Sequence, residues 1–225
     1  MIKHTATRKN KFHVFAEKFC LDNQQTQFLL KRMRTHDKYI YEHSLRTAYY
    51  SMLLAKGIGL PTKEQGLIYR SALLMDIGKL QTAGTKYLGN EEDSQSEARF
   101  SVLQHPVYSA KLLERMAESG LVDGEAILQH HENLDGTGYP HGLVWEDIVL
   151  NARIIRVADS FTTMTTVDAR TGVLSEVDLA LSELYCWSDI QYDSDLVTVM
   201  CHSYGPLGKK KKPRDDKGTI RLFNT

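Results

Sequence analysis

Cysteine is scarce in this chain. Cys20, Cys186 and Cys201 are the whole complement, an odd number at spacings that suit neither a disulfide framework nor a thiolate metal site. A reduced, cytoplasmic setting is the expectation. An excess charge of either sign is missing too, because 28 Lys and Arg balance 28 Asp and Glu. No net field therefore draws the chain to nucleic acid or anionic lipid, and no DNA partner is expected. The basic run Lys209 to Lys212 with Arg214 reads as a solvated tail. Apolar runs are short: Met52 to Ala55 falls far below the length of a membrane span. The N-terminus carries basic residues without an apolar segment behind them, so it does not read as a signal peptide. Strand-like alternation and internal repeats are also lacking.

What the sequence does have is helical periodicity. Leu45, Ala48, Tyr49, Met52 and Leu53 recur at the steps of one helix face, and Gly57-Ile58-Gly59-Leu60-Pro61 stops that helix. Further helices are expected over 63–79, from about Pro106 to Glu118, over 125–131, over 147–165, over 175–187 and over 194–202. Residues 81–95, polar and glycine-containing, read as loop. The fold class is all-α: a single helical bundle of seven or more helices over 36–203. A helical N-terminal extension over 1–35 and a flexible basic tail over 204–225 flank it.

Chemistry concentrates in the histidines. His4, His13, His36 and His202 lie near the ends without a partner pattern and read as surface residues. His43, His105, His130 and His131 sit on or beside predicted helices that also carry Asp76 and Asp159. Imidazole with carboxylate is a ligand set for zinc, manganese, iron or nickel. The adjacent pair His130-His131 can reach one site if the backbone turns there, and Asp135-Gly136-Thr137-Gly138-Tyr139-Pro140 supplies that turn. Asp76 and Lys79, three residues apart, share a helix face. A carboxylate that holds metal beside an ammonium that neutralises phosphoryl oxygens suits phosphate-ester chemistry.

Taken in order, these residues resemble the HD-GYP family of HD-domain phosphohydrolases. The likeness rests on His43-x-x-Arg46, Asp76-Ile77-Gly78-Lys79, His105-Pro106, His130-His131-Glu132, the Asp135 to Pro140 loop and the segment Ala152 to Asp159. It implies hydrolysis of cyclic di-GMP or a related nucleotide through a metal-bridged hydroxide, with a pair of divalent ions, iron or manganese. It also implies roles. His43, Asp76 and Asp159 would hold the first ion, and Asp76 would bridge to a second held by His105, His130 and His131. Asp76 and Lys79 would be the catalytic pair. Lys79, Gly138, Tyr139, Pro140 and Arg170 would meet the substrate, and the loop around Tyr139 would offer a surface to a protein partner.

The departures matter equally. The family's namesake His-Asp dipeptide is Met75-Asp76 here, and His36-Asp37 upstream is a decoy. A thioether is a poor ligand for manganese or iron, so the first ion's site is expected to be weak or empty. Tyr39 stands where members with a third metal carry glutamate, which argues against a trinuclear site. Asp168-Ala169-Arg170-Thr171 replaces an arginine-rich element that grips the dinucleotide, leaving Arg170 as the nearest substitute. Three readings follow. One is a phosphodiesterase of reduced or metal-restricted activity, another a cyclic di-GMP sensor or interaction module without turnover. The third is a hydrolase of another phosphate ester.

Overall fold

The computed structural model describes residues 11–20, 23–82, 102–166 and 177–204. Ten α-helices occur among them: α1 Lys11–Cys20, α2 Gln24–His36, α3 Lys38–Gly57, α4 Thr62–Leu74, α5 Lys79–Thr82, α6 His105–Glu118, α7 Gly124–Gln129, α8 Leu150–Thr165, α9 Val177–Cys186 and α10 Ser194–Tyr204. A 3-10 turn, Trp145–Asp147, precedes α8. No strand occurs among the described residues, only two isolated bridges. The all-α expectation holds.

Local chemistry sets several helix ends. Asn23 caps α2 by accepting the Thr26 N–H at 2.8 Å, and Asp37 caps α3 through the Tyr39 N–H at 2.7 Å. Asp123 caps α7 through Ala126 N–H, while its own N–H donates to Ser71 Oγ on α4 at 2.8 Å. Pro106 lies in the first turn of α6, where its missing N–H costs nothing.

Helix α3 lies at the centre, packed against α4 on one side and α8 on the other. Of the predicted apolar stripe, Leu45, Ala48 and Met52 are buried, and Tyr49 and Leu53 pack partly buried against the core. Ile68, Ala72 and Leu73 of α4 meet them, as do Ile154, Ala158 and Phe161 of α8. Phe12 and Ala16 of α1 and Leu30 and Met33 of α2 belong to the same core. The first two helices are therefore docked on the bundle.

Three expected helices end or begin elsewhere. The helix expected over 63–79 stops at Leu74. Ile77, Lys79, Leu80 and Gln81 then donate to carbonyls three residues back, a tighter coil that ends in the short α5. The helix expected over 125–131 stops at Gln129, so His130 and His131 leave the axis as the chain turns. The helix expected from Asp147 starts at Leu150, because Ile148 and Val149 are extended. The expected loop beyond Thr82 and the tail beyond Tyr204 lie largely or wholly outside the described residues.

Candidate metal centre

Five separate elements deliver the site. The turn after α4 carries Asp76, the first residue of α6 is His105, and the end of α7 presents His130 and His131. His43 comes from α3 and Asp159 from α8. Gly78 sets the turn against α6. Its N–H donates to Ser109 Oγ at 2.8 Å, and a Cβ there would stand 2.3 Å from the His105 carbonyl oxygen and 2.7 Å from Ser109 N. Only glycine permits that approach, and it places Asp76 Oδ1 3.1 Å from His105 Nε2.

Asp76, His105, His130 and His131 each offer one ligand atom, all within 4.8 Å of one another. Two of the imidazoles are held in a defined tautomer. His105 Nδ1–H donates to Val102 O at 2.7 Å, and His130 Nδ1–H donates to Ile127 O at 2.6 Å. Each Nε2 is left as a lone pair, and the two Nε2 atoms face each other at 3.2 Å. Asp76 Oδ1 lies 3.8 Å from His130 Nε2. Neither Asp76 oxygen has a well-aligned hydrogen bond, although the residue is buried. Nitrogen lone pairs that converge on a carboxylate oxygen in a buried place suit a cation. The residues present therefore fit a divalent ion with nitrogen and oxygen ligands.

Protonation states agree with that fit. Burial, and then the neighbouring His105, pushes the His130 imidazole down to about 4. Burial, then His130, His105 and Lys79, holds His131 well below the usual imidazole range. Burial alone would raise the Asp76 carboxyl, but the Lys79 ammonium and the His105 ring keep it well below its ordinary value. At neutral pH His130 and His131 are thus neutral rings and Asp76 an ionised carboxylate, the forms a metal needs.

His43 and Asp159 are differently arranged. They meet each other at 2.6 Å, His43 Nε2 to Asp159 Oδ1, and that contact outweighs burial to lower the Asp159 carboxyl. Thr47 Oγ1 approaches the same ring nitrogen at 3.5 Å. Met75 is fully buried in the apolar core. Lys79 Nζ lies 2.8 Å from Asp76 Oδ2, so the three-residue spacing pairs them across the tight turn as it would on a helix.

The Asp135 to Pro140 loop covers the His131 side. Its fold depends on Glu132, a buried carboxylate that accepts the N–H groups of His141 at 2.7 Å and Leu143 at 3.0 Å. Gly138 presses on the backbone of Glu132 and Asn133, where a Cβ would lie 2.3 Å from Asn133 N. Tyr139 consequently stacks on His131 with ring centroids 4.7 Å apart. Pro140 is partly exposed beside it. Arg156 of α8 braces the loop by donating to Asn133 Oδ1 at 2.8 Å. Arg170 lies outside the described residues. Sequence reasoning missed the supporting roles of Ser109, Asn133 and Arg156. Glu132, adjacent to His131 in the quoted motif, was the one support with a visible signal.

His36 and His202 are exposed, as expected of surface residues, whereas His13 is half-buried and faces Glu42 at 3.4 Å. Among the described residues, no helix is long and apolar enough to cross a membrane.

Comparison with known proteins converges on one family. A family model for the HD domain matches residues 24–195. Among curated proteins, the chain is similar to a cyclic di-GMP phosphodiesterase of Pseudomonas aeruginosa, 34% identical over 140 residues, covering 60% of this chain and 33% of the relative. It is also similar to 3'3'-cGAMP-specific phosphodiesterase 1 of Vibrio cholerae, 32% identical over 138 residues, covering 61% of this chain and 32% of the relative. The cyclic di-GMP phosphodiesterase response regulator RpfG of Xanthomonas campestris is 31% identical over 163 residues, covering 72% of this chain and 43% of the relative. The chain thus spans less than half the length of each of these three relatives. Among solved structures, an HDG"Y"P protein of Bdellovibrio bacteriovorus superposes with a TM-score of 0.58 at 18% identity, covering 89% of this chain and 66% of that one. At such identity the likeness shows the fold alone.

Proposed function

The chain belongs to the HD-domain family, and from that premise we propose that it is a metal-dependent phosphodiesterase acting on cyclic dinucleotides, cyclic di-GMP first among them. One observation carries the reading: two tethered imidazole lone pairs and a buried carboxylate oxygen converge beside an ammonium. That is a place for a divalent cation with a phosphate-binding charge at its edge. The relatives supply the substrate class, since they are phosphodiesterases of cyclic di-GMP or 3'3'-cGAMP.

Asp76, His105, His130 and His131 would hold the ion, a nitrogen and oxygen donor set compatible with the iron or manganese that the HD-GYP resemblance implies. A divalent ion there supplies Lewis acidity toward a phosphodiester and lowers the pKa of water. The chain's own residues do the rest. Lys79, kept protonated by Asp76 in spite of burial, neutralises charge gathering on the phosphoryl oxygens. Tyr139 walls the site over His131, and its phenol stays protonated because burial, then Asp76 and Asp159, raise its pKa. Gly138 and Pro140 shape the same wall. His43 and Asp159 lie on the polar side of the same site, in contact at 2.6 Å. The catalytic body spans 36–203, with the segment before it docked through α1 and α2.

The test is turnover by protein loaded anaerobically with Fe(II) or Mn(II), with cyclic di-GMP and 3'3'-cGAMP as substrates and chromatography of the products. Linear dinucleotide or mononucleotide, lost in Asp76→Asn, is the expected result. Buried Met75, in place of a ligand, favours a second reading: a cyclic dinucleotide sensor without turnover. Tight binding by metal-loaded protein that releases no product from either nucleotide would establish that reading instead.

A further inference from the structure

We infer that the chain holds a single divalent ion, at Asp76, His105, His130 and His131, and that the Lys79 ammonium takes the place of a second cation on Asp76. The inference rests on the metal-centre reading above and specifies its stoichiometry.

The contrast among the histidines carries it. His105 and His130 each commit Nδ1–H to a backbone carbonyl, which fixes Nε2 as a lone pair ready for a metal. His43 has no such tether, because its buried Nδ1 has no hydrogen-bond partner. Its Nε2 donates to Asp159 Oδ1 at 2.6 Å, so the proton sits on the nitrogen that faces the carboxylate. An ion at that place would have to displace the proton and part a buried, charge-assisted contact. Beyond Asp76, the remaining ligand position belongs to the thioether of Met75, which is packed among apolar side chains.

Asp76 closes the argument. A carboxylate bridging two ions must give one oxygen to each. Oδ1 faces His105 at 3.1 Å, on the side of the four-residue cluster. Oδ2 is met at 2.8 Å by Lys79 Nζ, which already supplies a positive charge there. One ion and one ammonium therefore satisfy the carboxylate, and a phosphate can be neutralised by the same two charges.

Manganese tests this without relying on catalysis. Metal-free protein titrated with two equivalents of Mn(II) should retain one ion per chain after gel filtration. Its low-temperature electron paramagnetic resonance should show the six-line pattern of isolated Mn(II). His43→Asn should leave that stoichiometry at one. Lys79→Met should tighten Mn(II) binding by roughly tenfold, because a cation competing for the same carboxylate is removed. Two ions per chain with an exchange-coupled spectrum would overturn the inference while leaving the metal centre standing. Unchanged or weaker binding in Lys79→Met would overturn the role given to Lys79. Protein that retains no Mn(II) would overturn the metal centre itself.

Discussion

His130 is fully buried, with one ring nitrogen committed to a backbone carbonyl and the other turned into the cluster. Its imidazole titrates near 4 in the folded chain against about 6.5 when unfolded. The unfolded state therefore takes up the proton first as pH falls. Stability of the metal-free protein is full above about pH 6.5 and declines between about 6.5 and 4, by about 3 kcal/mol from this residue alone. Urea unfolding at a series of pH values checks this, and a slope equal in wild type and His130→Gln would contradict it. The tethered cluster should also dominate retention, so His130→Ala should release more bound metal than His43→Ala, as read by elemental analysis. Met75→His is the complementary change. It supplies the imidazole that the first site lacks, but Lys79 still holds Asp76 Oδ2 at 2.8 Å, so bound Mn(II) should stay at one per chain. Two bound ions would show that the missing imidazole, and not Lys79, keeps the second ion out.

Between α4 and α6, the element that sets the site is a turn rather than a helix. Gly78→Ala would put a Cβ against the His105 carbonyl and Ser109 N, neither of which can yield without moving α6. The expected cost is about 1–3 kcal/mol of stability, typical of overpacking. Metal affinity should fall with it, because Asp76 and His105 are pushed apart. Gly66→Ala is the control: the position lies inside α4, and a Cβ there meets only the flexible end of Arg70 at 3.4 Å. That change should raise stability by about 0.5–1 kcal/mol. Thermal melts of the two variants should move in opposite directions. In the covering loop, Glu132→Gln replaces a carboxylate that serves two N–H groups with a single carbonyl oxygen. A loss of about 1–3 kcal/mol is expected, together with a raised KM as Tyr139 loosens from His131.

At the scale of the molecule, one core links the first helix to the last. Phe12 packs edge-on against Tyr49 at 5.2 Å and Tyr50 at 6.0 Å, and Tyr50 in turn meets Tyr204 of α10 at 5.4 Å. The HD-domain match begins at residue 24, so α1 lies outside it yet contributes to the core. Deleting residues 1–22 should therefore lower the melting temperature. It should leave the metal stoichiometry unchanged, because Asp76, His105, His130 and His131 all lie beyond the deletion. A truncated protein that melts with the full chain would show α1 to be dispensable.

The all-α class, the apolar stripe of α3 and the pairing of Asp76 with Lys79 were legible in the sequence, because each depends on residues a few positions apart. So was the turn behind His131, announced by the glycine-rich loop, although the helix ends two residues earlier than expected, at Gln129. Order along the chain, through its likeness to the HD-GYP family, singled out His43, His105 and Asp159, which no local spacing would have joined. The remainder was decided only by tertiary packing. His43 and Asp159 are 116 residues apart in the chain; their pairing exists because α3 and α8 pack face to face. The turn at Asp76 replaced an expected helix because α6 comes close enough to exclude any side chain at Gly78. Which ring nitrogens point at the centre was also settled by structure, through carbonyls at Val102 and Ile127 that carry no signature in residue type. Backbone carbonyls are common to every residue, so only the folded geometry can say which of them orients a ligand.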